Sequence, residues 1–205
     1  MGGKYLKYEG FSEEVCLAVA EHYLPSSSKD DLPSTKYGAI VSIADKLETL
    51  ISIFISGKRP SGSSDPDALR RNLNGVVKIM WNFELDFSIE NLFEELIEHW
   101  KISLPNLNFI QKKVFEDLIE FLLQRIESHL EEVAIDKEII RAICSSDKFF
   151  KKRILNITDL KNRIEAISVY KERGSFDEIQ KIITRVSKLA DSCNLKKDVF
   201  SKEGY

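Results

Sequence analysis

Three basic side chains late in the chain, Lys181, Arg185 and Lys188, recur at i, i+4 and i+7 and would draw one cationic stripe along a helix. A stripe of this kind neutralises successive phosphates of a nucleic acid. Upstream, Lys148-Phe149-Phe150-Lys151-Lys152-Arg153 interleaves aromatics with cations. Aromatic faces and guanidinium planes stack on unpaired bases while neighbouring cations hold the backbone, which makes Lys152 and Arg153 companions of the stripe. The two phenylalanines read more readily as residues of a helical core, and the Lys/Arg stripe alone is a weak signal.

A second candidate is the loop Gly57-Lys58-Arg59-Pro60-Ser61-Gly62-Ser63-Ser64, which leads into a helix start with Arg70 and Arg71 close behind. Backbone N–H groups and the helix dipole favour an anion there, and Lys58, Arg59, Arg70 and Arg71 would add charge. The loop lacks a Gly-Lys-Ser/Thr ending, so a plain polar surface loop is the other reading. The third candidate is His22 with Asp45, each on an apolar helix. They could form a hydrogen-bonded core pair or part of a divalent-metal site of the His-Asp phosphohydrolase kind, although one His and one Asp are too few ligands. No nucleotide-cradling glycine loop, nucleophile elbow or metalloprotease signature is present, so no catalytic residue is assigned.

The 205 residues suffice for one large domain or two small ones, and 43% hydrophobic residues allow a substantial core. The net charge of -3 hides an asymmetry. Residues 1–136 hold 14 Lys+Arg against 23 Asp+Glu, a net of -9, whereas residues 137–205 hold 16 against 10, a net of +6. A basic end on an acidic chain points to a module that meets an anion. Cys16, Cys144 and Cys193 are odd in number and far apart, and read as reduced thiols of a cytoplasmic protein. His22, His99 and His129 have no zinc-ligand spacing. No apolar run reaches the roughly 20 residues of a membrane span, and MGGKYLKYEGFSEE lacks the apolar stretch of a signal peptide.

The elements that must position these groups are helical throughout. All five prolines fall at or before Pro105, and only Gly174 and Gly204 follow Gly75, so the second half predicts nearly continuous helix. Ser12 reads as an N-cap followed by acids, with Val15, Ala18, Val19 and His22 on one face. Ala39–Ile55 is apolar nearly all round and predicts a buried central helix, interrupted by Asp45 and Lys46. A carboxylate there needs a partner, Lys46 or Lys78 among them, or a solvated cleft. Asp65 and Pro66 predict the cap and first position of a helix burying Leu69, Leu73, Val76, Val77 and Met80. Ser88 caps a helix to about Trp100, and Ile102–Leu107 reads as a linker. Ile110, Val114, Leu118, Phe121, Leu122, Arg125 and His129 then share one face. Asp136, Ser145 or Ser146, Thr158 and Ser175 open the later helices, Ser175 with Glu178 as a capping box. The expectation is an all-α chain in two helical units joined near residue 103.

Certain blocks stand in a specific order: Glu21-His22-Tyr23-Leu24-Pro25, Ala44-Asp45-Lys46-Leu47-Glu48, Pro60-Ser61-Gly62-Ser63-Ser64-Asp65-Pro66, Ala68-Leu69-Arg70-Arg71 and Gly75. With Phe121–Arg125 and Thr184–Lys188 they resemble the β subunit of bacterial heterotetrameric (α2β2) glycyl-tRNA synthetase along nearly the whole chain. Glu48 and Asp67 depart from that pattern, which more often has Asp and Phe at those positions. The resemblance implies a C-terminal fragment of a chain several times longer. Residues 1–103 would be the later part of an HD-like helical domain, and residues 104–205 an anticodon-binding helical domain of the DALR type.

By the same resemblance the α subunit activates glycine, the whole complex uses ATP and Mg2+, and this segment binds no cofactor and no metal. His22 and Asp45 would be remnants of the HD site. Implied partners are tRNA(Gly), the α subunit and the N-terminal part of the β chain, with no membrane. The expected role is to position tRNA(Gly) through Lys181, Arg185, Lys188, Lys152 and Arg153. An HD-type phosphohydrolase remnant and a subunit-assembly scaffold are the alternatives.

Overall fold

The computed structural model describes residues 2–27, 29–60, 65, 67–133, 135, 140, 156–174, 181–182 and 185–186. Seven α-helices are described end to end: α1 (Gly2–Tyr8), α2 (Glu13–Glu21), α3 (Lys36–Ile55), α4 (Leu69–Phe83), α5 (Ile89–Ser103), α6 (Gln111–Glu132) and α7 (Ile157–Glu172). The described residues contain no strand and are all-α, as the sequence predicts. Met1–Lys161 forms one compact unit and Asn162–Tyr205 a second. The expected helix starts at Asp136, Ser145 or Ser146, and Ser175 lie outside the described residues.

In the first unit α3 is the hub, packed on α2, α4, α5 and α6. Its cap is Thr35, whose Oγ1 accepts from Gly38 N at 3.0 Å. Leu47, Leu50, Ile51 and Phe54 are fully buried, as the apolar run predicts. The burial is one-sided, however, because Tyr37, Ile40, Val41, Ala44, Asp45 and Glu48 are all exposed. On α4, Leu69, Leu73, Val76, Val77 and Met80 are buried as predicted, facing α3 and α6. At about 1.5–3 kcal/mol for each large side chain, these apolar faces supply the main driving force of the fold.

Several ends differ from the expectation. Asp65 is not the cap of α4, which begins at Leu69 after Ala68 in the left-handed region, φ 56°. Asp65 still fills the capping function from farther back, its Oδ1 accepting from Arg70 N at 3.2 Å and its carbonyl from Ala68 N at 3.1 Å. Helix α7 opens after Asn156, whose Oδ1 accepts from Asp159 N at 2.8 Å. Thr158 is spent on a tertiary bond instead, donating to Leu85 O at 3.1 Å, while Lys161 Nζ meets Glu84 Oε1 at 2.7 Å. Helix α5 runs past Trp100 to Ser103, so only Leu104–Leu107 turns.

Helix α1 has no clear sequence signal, yet it shifts the buried face of α2. A Cβ on Gly3 would lie 2.3 Å from Cys16 O, so this glycine lets the two backbones nearly touch. Cys16 and Ala18 are consequently buried, and Val15, expected inside, is 41% exposed.

Candidate nucleic-acid interface

Lys181 and Arg185, spaced i, i+4, are helical and exposed, as are Ile182 and Val186. Two cations four apart on a helix stand on one face, an arrangement that can follow a phosphate backbone. Lys188, Lys152 and Arg153 lie outside the described residues.

The basic loop candidate divides by side chain. Arg59 is committed to the fold. Its Nε and Nη2 donate to Asp117 Oδ2 at 2.9 and 2.6 Å, and Nη1 donates to the carbonyls of Phe54 and Lys58, each at 2.7 Å. The guanidinium also lies 4.2 Å from the centroid of the Phe54 ring. These contacts tie the end of α3 to α6 and leave Arg59 little capacity for an external phosphate. Lys58 is exposed, and Arg71 is 56% exposed with only a distant ion pair, 3.8 Å from Nε to Asp65 Oδ2. Arg71 and Lys78 border a pocket of about 200 Å³ beside Asn74 and Gly75, with Lys78 drawn toward Glu132 at 2.8 Å.

Arg70 is part of the Asp65 arrangement, and it lies in electrostatic reach of Arg125. Burial lowers the Arg125 pKa first, Arg70 adds to the effect and Asp65 opposes it. Arg125 also faces the Phe121 ring at 5.6 Å. The Asp-Pro-x-Ala-Leu-Arg-Arg block and the Phe121–Arg125 block therefore come together where α4 packs on α6, although 49 residues of sequence separate them. Neither spacing nor periodicity could have shown that meeting.

His22 and Asp45 are differently placed. His22 Nδ1 bonds Val19 O at 2.7 Å and its ring stands edge-on to Tyr23. Asp45 is exposed at the edge of an apolar groove, which corresponds to the solvated-cleft alternative rather than a core pair. The buried charge is its neighbour. Lys46 is 3% exposed and donates to Tyr23 O at 2.9 Å, so its partner is neither Asp45 nor any other carboxylate. Burial lowers the Lys46 pKa, and Asp45 partly offsets this.

Ser42 Oγ takes the next carbonyl, that of Leu24, so two α3 side chains hold the turn after α2. Gly75 completes the arrangement, because a Cβ there would lie 3.0 Å from Lys46 Cε. Lys78, the other cation considered for Asp45, bonds Glu132. Among the described residues no group of three or more His, Cys, Asp or Glu could hold a metal ion.

His129, expected on the buried face of α6, is 5% exposed, and neither ring nitrogen has a hydrogen-bond partner. Its ring meets Trp81 edge-on at 5.4 Å. Burial lowers its pKa, Lys78 lowers it further, and Glu132 opposes. Among the described residues no helix is long and apolar enough to cross a membrane.

A family model described as "Glycyl-tRNA synthetase beta subunit" matches residues 1–145. Curated relatives extend the similarity to nearly the whole chain. The glycine–tRNA ligase beta subunit of Trichodesmium erythraeum is 38% identical over 200 residues, 96% of this chain and 27% of that protein. That of Thermodesulfovibrio yellowstonii is 34% identical over 206 residues, 99% of this chain and 28% of the relative. That of Streptococcus equi subsp. zooepidemicus is 34% identical over 190 residues, 93% and 26% respectively. The chain thus spans about a quarter of the length of the curated relatives it matches. With most of its residues matched by the family model, this chain belongs to the glycyl-tRNA synthetase beta subunit family.

Proposed function

We propose that this chain is a non-catalytic, tRNA-binding portion of a glycine–tRNA ligase. It positions tRNA(Gly) so that the acceptor end reaches an active site on the α subunit, where ATP and Mg2+ serve glycine activation in the cytoplasm. The observation that carries this reading is similarity along 93–100% of the chain to subunits named for a tRNA ligase. The net charge of +6 over residues 137–205 supports placing RNA contact in that segment.

In this reading residues 104–205 form the anticodon-binding domain, and residues 1–103 the later part of an HD-like domain. Lys181, Arg185 and Lys188 contact phosphates of the anticodon arm, with Lys152 and Arg153 as neighbours. In the loop region, Lys58 and Arg71 are the exposed cations that can add a contact. The acidic first segment faces protein.

The test replaces Lys181, Arg185 and Lys188 together with Ala and measures tRNA binding across a salt series. The expected result is weaker binding and a salt slope flattened by about 2–3 units. Unchanged affinity and slope would remove the stripe from the interface.

A further inference from the structure

The exposed side of α3 opens on a groove of about 670 Å³ between α3 and α5, with Phe87 closing one part. Ile40, Ala44, Leu92 and Leu96 line it, and Asp45 and Glu48 stand at its edge. Ile40 is 55% exposed, and Tyr37 (61%) and Val41 (40%) continue the apolar surface along α3. Tyr37, Ile40, Val41 and Ala44 fall at i, i+3, i+4 and i+7, the spacing of a helix face built for another helix. An open apolar concavity on the central helix of a fold is a marker of an interaction surface.

We propose that this groove seats an amphipathic helix from the part of the glycine–tRNA ligase beta subunit that this chain does not span. Two observations select the occupant. The curated relatives carry roughly three-quarters of their length outside the matched region, enough to supply such a helix. The edge is acidic, with Asp45 and Glu48 both exposed, so it complements a helix whose apolar stripe is flanked by Lys or Arg. A second copy of this groove would bring the same acids against one another, which disfavours self-pairing. The inference rests on family membership and not on where RNA binds.

The test uses a chimera in which this chain replaces the matching 200 residues of the Trichodesmium erythraeum beta subunit. Ile40→Cys is labelled with a maleimide in the isolated chain and in the chimera, against the parent proteins as background. Labelling at least about tenfold slower in the chimera is expected, because a seated helix must open before the thiol reacts. Ile40→Asp should lower the melting temperature of the chimera while moving that of the isolated chain by less than about two degrees, as for an ordinary surface change. The labelling is also read in trans, adding the remainder of that subunit to the isolated Ile40→Cys chain, so the answer does not depend on the chimera folding. Equal labelling in all settings overturns the proposal. So does a concentration-dependent dimer of the isolated chain that Ile40→Asp dissociates, since it places a second copy in the groove. In either case the tRNA reading stands unaffected.

Discussion

Replacing His129 with Phe should stabilise the chain, and more so at acidic pH. The imidazole is 5% exposed, has two nitrogens without hydrogen-bond partners, and packs edge-on against Trp81. An unsatisfied buried polar group costs about 1–3 kcal/mol, and a ring of similar shape recovers part of that, less up to about 1.5 kcal/mol for its extra volume. A net gain of about 1 kcal/mol at pH 7.5 is the expectation.

The pH term has a definite sign. Burial holds the folded-state pKa below the ordinary 6.5, with Lys78 adding to the shift and Glu132 opposing it. Above the ordinary value both states are neutral, and the histidine contributes no pH dependence. As pH falls through 6.5 the unfolded chain takes up a proton that the folded chain resists, so stability is lost until the folded pKa is reached. One such proton has a ceiling of about 1.4 kcal/mol per pH unit.

Urea unfolding followed by circular dichroism at pH 7.5, 6.5 and 5.5 reads the difference between His129→Phe and the parent. That difference should widen toward pH 5.5 by up to about 1.4 kcal/mol, with carboxylate effects common to both proteins cancelling. Parallel profiles across this range would mean that His129 titrates alike in the folded and unfolded chains, contrary to its burial.

Asp117→Ala removes two bonds to Arg59 and leaves a half-buried guanidinium short of its acceptor, so chemical denaturation should show a loss of about 1–3 kcal/mol. Gly3→Ala puts a Cβ where Cys16 O lies 2.3 Å away, and a backbone atom there cannot swing aside as a flexible side chain would. Helix α1 should then separate from α2, giving faster trypsin cleavage after Lys4 and Lys7 with little change in the global unfolding midpoint. Asn156→Ala removes the acceptor for Asp159 N and should cost about 1 kcal/mol, read by the same denaturation.

The all-helical class and most of the core were legible because they are local. Apolar spacing on α4 named Leu69, Leu73, Val76, Val77 and Met80, and every one is buried. Ser12 and Ser88 cap where short polar side chains precede acidic first turns. What escaped depends on distant neighbours. Asp117 meets Arg59 across fifty-eight positions, and no periodicity announces that pair. Helix α1 turned the buried face of α2 from Val15 to Cys16 through a glycine contact invisible in a pattern of polarity. At the His-Asp candidate the residue types are visible in the sequence, but Asp45 lies exposed. The adjacent Lys46, in the middle of an apolar helix, was the stronger signal of a buried polar group with a fixed acceptor. Asp65 reads as a helix-start residue in the sequence, although the chain turns once more through Ala68 before α4 begins.

The most direct measurement of the central claim is the binding of this chain to glycine tRNA and to a non-cognate tRNA across a salt series. Binding to glycine tRNA should be the tighter of the two, with affinity falling as salt rises. Equal weak binding to both tRNAs, or no binding to either, would contradict the claim.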